Sequence, residues 1–505
     1  MAPQHHRTMS DSLVVSAEAN PDAEAVVIGG TERYTYGQLH DTALRTARLL
    51  QDHGVARGDR VVVFADNSWA CVASIFGTWL AGGVVVVVNA QTKADKLAYL
   101  LTDSGARVMI TEAKLARVFR AVVGTLPILC AGKAPEGTVA LDEALAAVEP
   151  KPAHHGSVAT DLAAFIYTSG STGEPKGVVM THQNMTFTVA SLIEYLRLGH
   201  DERIINLLPL AFDYGLYQLL MAVRLGATLV LEAGFGFPEV IRRRIREERV
   251  TVLPGVPTVF ATLLAGEPVT YPSVRRVTNT AAALSPELIP RLAAMFPEAL
   301  IYKMYGLTEC KRCTYLPPED VDRKPTSVGI AIPDTELWLV DADDKRVPTG
   351  EVGQLVIRGA TVMAGYWEKP EETAKKLKPG PLPGERVLYT GDYCRLDEEG
   401  YLYFVARMDD VIKSRGEKVA PKEVESALMN VDGIREAAVI GVPDEILGQA
   451  VKAFVVLEEG AQLDPRALIK ACQARLESFM VPKEIVIVPS LPRTNTGKIK
   501  KTDLK

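Results

Sequence analysis

A chain of 505 residues is too long to be organised around a single hydrophobic core, so two or more domains are expected. Apolar residues make up 47% and charged residues 23%, ordinary for a soluble globular protein. A net charge of −6 argues against a nucleic-acid partner, which needs a basic surface. Residues 1–13 contain no apolar core of signal-peptide length, and the most apolar short run, 84–88, is strand-sized. No membrane span and a cytoplasmic location are therefore expected. Of six scattered cysteines only Cys310 and Cys313 have C-x-x-C spacing; without a second pair they read as spare thiols in a reducing compartment.

In chain order, β-branched runs at 26–28, 60–64, 84–88 and 108–110 read as strands, with helices at 36–53, 68–81 and 93–104 between them. The pattern resumes with strands at 164–167, 203–207, 228–231, 251–253, 274–278 and 299–303. Such alternation predicts an α/β fold, a large N-terminal body of parallel-type sheets covered by helices. From about 327 to 404 the chain is rich in Gly, Pro and short alternating segments, which predicts a small β-barrel-like subdomain. After Arg407 the charged stretch Met408-Asp409-Asp410 leads into about a hundred residues with helices at 421–429 and 465–476 and strands at 437–442 and 451–457. This predicts a small, mobile α+β C-terminal domain at 409–505 behind an N-terminal domain at 1–408. No internal repeat or low-complexity tract interrupts the pattern.

The most informative segment directly follows the expected strand at 164–167: Tyr167-Thr168-Ser169-Gly170-Ser171-Thr172-Gly173-Glu174-Pro175-Lys176-Gly177. Glycines let backbone N–H groups converge, the hydroxyls of Thr168, Ser169, Ser171 and Thr172 donate further hydrogen bonds, and Lys176 brings positive charge. That composition predicts a loop wrapping phosphate oxygens. It is not a Walker A loop, because G-x-x-x-x-G-K-[ST] is absent. The plainer alternative is a Gly/Ser-rich surface turn; the density of donors beside one lysine argues against it.

Here the sequence resembles the adenylate-forming superfamily of acyl-CoA synthetases, peptide-synthetase adenylation domains, luciferases and stand-alone relatives. Further matches follow in order: Tyr305-Gly306-Leu307-Thr308-Glu309 resembles YG-x-TE, Gly350-Glu351 through Gly359 resembles GE-x-G-x-L-x-x-x-G, and Tyr389-Thr390-Gly391-Asp392 resembles Y-x-T-GD. Arg407 through Lys413 resembles R-x-DD-x-I-K, and Pro492 through Ile499 resembles P-R-T-x-x-GK-I. The resemblance runs from about residue 20 to the last residue. It implies ATP and Mg²⁺ as cofactors, with Thr308 on the α-phosphate, Glu309 on the metal and Tyr305 stacked on adenine. It further implies Asp392 on the ribose hydroxyls and Arg407 at the ribose or phosphates. Lys498 is implied as the catalytic lysine, stabilising charge as the carboxylate attacks the α-phosphorus and pyrophosphate leaves. By the same resemblance the small domain rotates about a hinge at Asp409 between half-reactions, presenting 414–418 for acyl transfer.

The segment 209–215 aligns with one wall of the acyl pocket, with Phe212 at the position of a gate. Asp213 has three readings. It binds the ammonium of an amino-acid substrate, it orients or deprotonates an incoming amine, or it caps a helix starting near Gly215. A carboxylate facing a purely apolar acid would pay for desolvation without a partner. The remaining wall implied by the resemblance is Tyr214, Tyr217, Pro254, Thr278, Thr280, Met304, Arg312 and Cys313, a set that suits a flat aromatic acid and equally suits an ordinary core. Residues 281–283, all alanine, depart from a glycine-bearing pattern common in relatives, and His182 reads as a packing residue.

The expected function is ATP-dependent activation of a small or aromatic carboxylic acid to an acyl-adenylate, then acyl transfer. Three acceptors are open: the CoA thiol, a free amine as in the amide bond synthetases, or a separate carrier protein. A non-catalytic nucleotide-binding regulator is the contrasting class, and the presence of Lys498, Glu309 and Asp392 argues against it.

Overall fold

The computed structural model of the protein describes residues 6–504 apart from 123, 151–155, 170–174, 267, 282, 415–416, 445–447, 477–479 and 494–498. Compactness divides the chain into two units, Met1–Pro325 with Gly329–Glu336 and Ile357–Leu388, and Thr326–Val328 with Leu337–Val356 and Tyr389–Lys505.

The first unit contains two large sheets. One has eight strands, in the order Gly365–Tyr366, Pro175–Thr181, Leu162–Ser169, Val84–Asn89, Arg60–Ala65, Ala106–Glu112, Ile128–Ala131 and Val139–Ala140. Its centre is parallel, and the valine run at 84–88 is buried on both faces but for Val87, as a central parallel strand requires. Thr35 starts the helix Tyr36–Asp52 with a capping box: its hydroxyl accepts from the Gln38 amide at 3.2 Å, and Gln38 accepts from the Thr35 amide at 2.8 Å. Helix Trp69–Leu80 is apolar almost all round because it is buried. Its Trp79 has no exposed surface and donates its indole N–H to the Ala163 carbonyl at 2.8 Å.

The second sheet has nine strands, in the order Ile330–Ala331, Thr314–Leu316, Leu300–Tyr305, Arg276–Asn279, Val252–Gly255, Arg203–Asn206, Thr228–Leu231, Glu24–Ile28 and Glu32–Thr35. Six strands run parallel and the edges are antiparallel. Helix Asp213–Leu225 connects two of the parallel strands and stops at Gly226, whose φ of +66° provides the left-handed ending. The α/β expectation holds in both sheets. The antiparallel edge strands and the helix Met9–Ala19 lack the strong periodicity that marks the buried elements.

The barrel expected near 327–404 is instead an open sheet. Its order is Thr335–Val340, Val352–Gly359, Arg386–Leu396 and Leu377–Pro379, with Leu402–Arg407 beside Arg386–Leu396. Among the described residues no pairing joins the first strand to the last, and closure needs that pairing. In the second unit the C-terminal residues form their own sheet, Glu417–Val419, Ile412–Ser414, Gly448–Leu457 and Ile434–Asp444, with Glu484–Ile487 parallel to Gly448–Leu457. Helices Pro421–Met429 and Pro465–Gln473 cover it through Val424, Leu428, Leu468 and Cys472. Among the described residues no helix is long and apolar enough to cross a membrane.

Candidate active site

The glycine-rich segment lies on a β-hairpin. Leu162–Ser169 pairs antiparallel with Pro175–Thr181, placing Thr168 opposite Lys176 and Ser169 opposite Pro175. Gly170, Ser171, Thr172 and Gly173 lie outside the described residues, between two strands whose register fixes where that loop starts and ends. Lys176 reaches Glu372 at 2.5 Å and lies 5.6 Å from the centre of the Tyr366 ring. Lys176 first, then Lys375, pulls the Glu372 carboxyl down to about 2.

The YG-x-TE segment leaves the end of strand Leu300–Tyr305 and returns as strand Thr314–Leu316, which pairs with it: Cys313 donates its amide to the Tyr305 carbonyl at 3.0 Å. The turn is tight. A Cβ on Gly306 would lie 1.9 Å from the Lys311 carbonyl oxygen and 2.9 Å from Arg312 Cα, so only glycine fits without moving backbone. Lys311 sits in the left-handed region at φ +58°, a conformation that costs a non-glycine residue about 1–2 kcal/mol. Gly306→Ala is therefore expected to destabilise the protein by about 1–3 kcal/mol. A thermal melt with a wild-type midpoint would show that the turn tolerates the methyl group.

Within this turn Glu309 is half-buried, and Tyr366 donates its hydroxyl to Glu309 Oε1 at 2.7 Å. Burial first, then the Glu309 charge, pushes the Tyr366 phenol up, so it stays protonated and remains a donor. Among the described residues the second oxygen, Oε2, accepts no hydrogen bond, which suits a hard cation, and no cluster of three or more His, Cys, Asp or Glu could hold a metal. Thr308 is half-buried, and its carbonyl accepts from Lys311 Nζ at 3.0 Å. Lys311 is 1% exposed, and burial pushes its amine down to about 8. Cys310 and Cys313 are buried free thiols.

The expected pocket wall converges on the carboxyl ends of adjacent parallel strands, where ligands of open α/β sheets bind. Pro254 pairs with Thr278 in register, and Thr280 follows that strand, buried. Tyr214 holds Thr278 through its hydroxyl, 2.7 Å from the carbonyl and 2.8 Å from Oγ1. Met304 packs with its sulfur 3.0 Å from the Tyr195 hydroxyl, and Tyr217 is fully buried on helix Asp213–Leu225. Ala281 has φ +71°, a left-handed conformation in which glycine would carry no strain.

Two readings of Asp213 change. The helix begins at Asp213 itself and its N-cap is Phe212, half-buried with extended backbone, so Asp213 occupies the first helical turn and is not the cap. Nor is the carboxylate without a partner: Arg312 Nη1 lies 3.3 Å from Asp213 Oδ2. The Arg312 guanidinium also lies 4.9 Å from the centre of the Tyr214 ring. Burial works against the Arg312 charge, and Asp213 together with Tyr195 and Tyr214 offsets it, leaving the group above its ordinary pKa.

In the second unit Asp392 is 2% exposed on strand Arg386–Leu396, directly opposite Arg407, and the pair is 3.4 Å apart. The Asp392 amide donates to Thr390 Oγ1 at 3.1 Å, so the T-GD motif braces its own aspartate. Asp409 lies on the short 3-10 turn Met408–Asp410. Lys498 lies outside the described residues, as do 415–416 of the segment at 414–418. His182 is buried, accepts the Met9 amide at 3.1 Å and meets Trp79 edge-on, a packing role.

Tyr366, Glu372 and Lys311 were not singled out from sequence. Their only sequence signals are adjacency: Tyr366 follows the GE-x-G segment by seven residues, Glu372 sits in the acidic first turn of helix Pro370–Lys376, and Lys311 follows Glu309 by two.

Together the fold and these residues define an ATP-dependent acid-activating enzyme that forms an acyl-adenylate and passes the acyl group on. The chain belongs to the AMP-binding enzyme family, whose model matches residues 13–367, while that of the AMP-binding enzyme C-terminal domain matches 423–498. It is 33% identical over 498 residues to feruloyl-CoA synthase of Amycolatopsis sp, covering 97% of this chain and 96% of that one. Among solved structures, ATP-bound MatB from Rhodopseudomonas palustris matches with a TM-score of 0.89 and 28% identity over 98% of both chains. The anthranilate CoA ligase AuaEII in complex with anthranoyl-AMP matches with a TM-score of 0.89 and 27% identity over 98% of this chain and 96% of that one.

Proposed function

We propose that this enzyme is an acid–CoA ligase for a small aromatic carboxylic acid. The observation that carries the proposal is the Asp213–Arg312 pair. It occupies the one carboxylate of the wall that an amino-acid substrate or an attacking amine would need. The aromatic choice rests on Tyr214, Tyr217, Pro254 and Met304 in the assigned wall, and on relatives named for ferulate and anthranilate.

In this reading the hairpin bearing Thr168, Ser169 and Lys176 receives the β- and γ-phosphates, Thr308 bonds the α-phosphate, and Tyr305 stacks on adenine. Asp392 accepts from the ribose hydroxyls, an office suited to an ionised carboxylate with two acceptor oxygens, and Arg407 lies beside it. Mg²⁺ held by Glu309 and phosphate oxygens would neutralise charge on the departing pyrophosphate. By the family resemblance Lys498 would stabilise the charge that develops as the acid attacks the α-phosphate. Rotation about Asp409 then withdraws Lys498, and the thiol of CoA attacks the acyl carbon, releasing AMP.

The test supplies ATP, a panel of benzoic and cinnamic acids, and either CoA or simple amines. Thioester formation with CoA and none with amines is expected. Amide formed with amines, with no thioester, would overturn the proposal in favour of an amide bond synthetase. Asp213→Asn separates the two at the residue level. Thioester formation should fall less than about tenfold, through weaker holding of Arg312, and amide synthesis abolished selectively by this variant would assign Asp213 to an amine.

A further inference from the structure

Arg312 carries more hydrogen-bonding capacity than its neighbours use. It is 5% exposed, and its Nη1 donates to the Lys311 carbonyl at 2.8 Å and to Asp213 at 3.3 Å. On its other edge, among the described residues, Nε is buried with no hydrogen-bond partner and no group accepts from Nη2. An arginine's Nε–H and Nη2–H form a planar fork that matches two oxygens of one carboxylate. Leaving such a donor buried and unpaired is unfavourable, and a ligand would remove that penalty.

The surroundings are those of a held cation: the Arg312 guanidinium lies 4.9 Å from the centre of the Tyr214 ring, with Asp213 at 3.3 Å.

We infer that Arg312 determines specificity, and that the preferred substrate is an aromatic acid bearing a second carboxylate, or a similarly forked oxyanion, which the Nε edge of Arg312 receives. The inference rests on the proposed aromatic acid–CoA ligase reading and adds the substrate's second functional group. Asp213 then acts as a positioning residue, holding the guanidinium by Nη1 and leaving the Nε edge without a protein acceptor among the described residues.

The experiment compares kcat/KM for matched pairs, 4-carboxybenzoate against 4-methylbenzoate and 3-carboxybenzoate against 3-methylbenzoate, in wild type, Arg312→Gln and Arg312→Lys. Wild type should prefer the carboxylated member of at least one pair by about a hundredfold, because a site built to bond a polar group discriminates strongly against an analogue lacking it. The preference should drop to about unity or reverse in Arg312→Gln, mainly through KM. In Arg312→Lys, which keeps the charge without the fork, it should be intermediate. Methyl acids preferred by wild type at both positions would overturn the inference while leaving the aromatic ligase reading standing. So would an undiminished preference in a variant that melts cooperatively. Should neither variant fold, the wild-type ratio alone decides. No thioester from any aromatic acid would remove the underlying reading, and the inference with it.

Discussion

Replacement of Lys498 by alanine is expected to lower carboxylate-dependent pyrophosphate exchange by about a hundredfold to a thousandfold, the loss typical of one preorganised electrostatic donor at a developing charge. The same variant, given a synthetic acyl-adenylate and CoA, should form thioester within about threefold of the wild-type rate. The asymmetry follows from the domain movement assigned to the reaction. A lysine needed while negative charge gathers between carboxylate and α-phosphate has no such charge to meet once the adenylate exists. Equal losses in both half-reactions would mean that Lys498 acts by holding the fold or serves both steps. An unchanged exchange rate would remove it from the chemistry.

The second large effect is expected at Glu309. Its Oε1 is committed to the Tyr366 hydroxyl at 2.7 Å, and among the described residues its other oxygen accepts no hydrogen bond. Glu309→Gln keeps the shape and removes the charge. Magnesium affinity in the presence of a non-hydrolysable ATP analogue, read by calorimetry, should weaken by at least about tenfold, because hard divalent cations favour ionised oxygen. Pyrophosphate exchange should fall by about a hundredfold at fixed magnesium, with partial recovery as magnesium is raised. Wild-type magnesium affinity in this variant would show that Glu309 is not the metal ligand.

The residues proposed for adenylation stand out in the sequence because each belongs to a short motif with internal logic. The Tyr305–Glu309 turn needs Gly306 for its backbone, and Asp392 needs Thr390 two residues away. The α/β alternation was legible for a related reason. Buried parallel strands such as Val84–Asn89 must be apolar on both faces, and that leaves an unbroken run. The residues of the acyl wall are a different case. Arg312 meets Asp213 across 99 positions, and Tyr366 meets Glu309 across 57, so no local pattern announces either contact. Sequence alone therefore leaves Asp213 as a carboxylate in need of a ligand, whereas packing supplies it with a guanidinium. The open sheet near 327–404 was misread for a similar reason. Short alternating strands fit a barrel or an open sheet equally well, and only the pairing of the first strand with the last distinguishes them.

Lys311 and Arg312 sit in the turn that also holds Thr308 and Glu309, so in the proposed reading the acid wall and the nucleotide-binding turn share a backbone. A substrate group seated on Arg312 would thus brace the segment that positions Thr308 and Glu309. Binding energy from a part of the acid remote from the reacting carboxylate can in this way serve the adenylation step.

Formation of an acyl-adenylate is tested most directly by exchange of labelled pyrophosphate into ATP in the absence of any acyl acceptor. Exchange should depend on an added carboxylic acid, saturate with it, and be strongest with an aromatic acid. Absence of acid-dependent exchange across a broad panel, with ATP still bound, would contradict it.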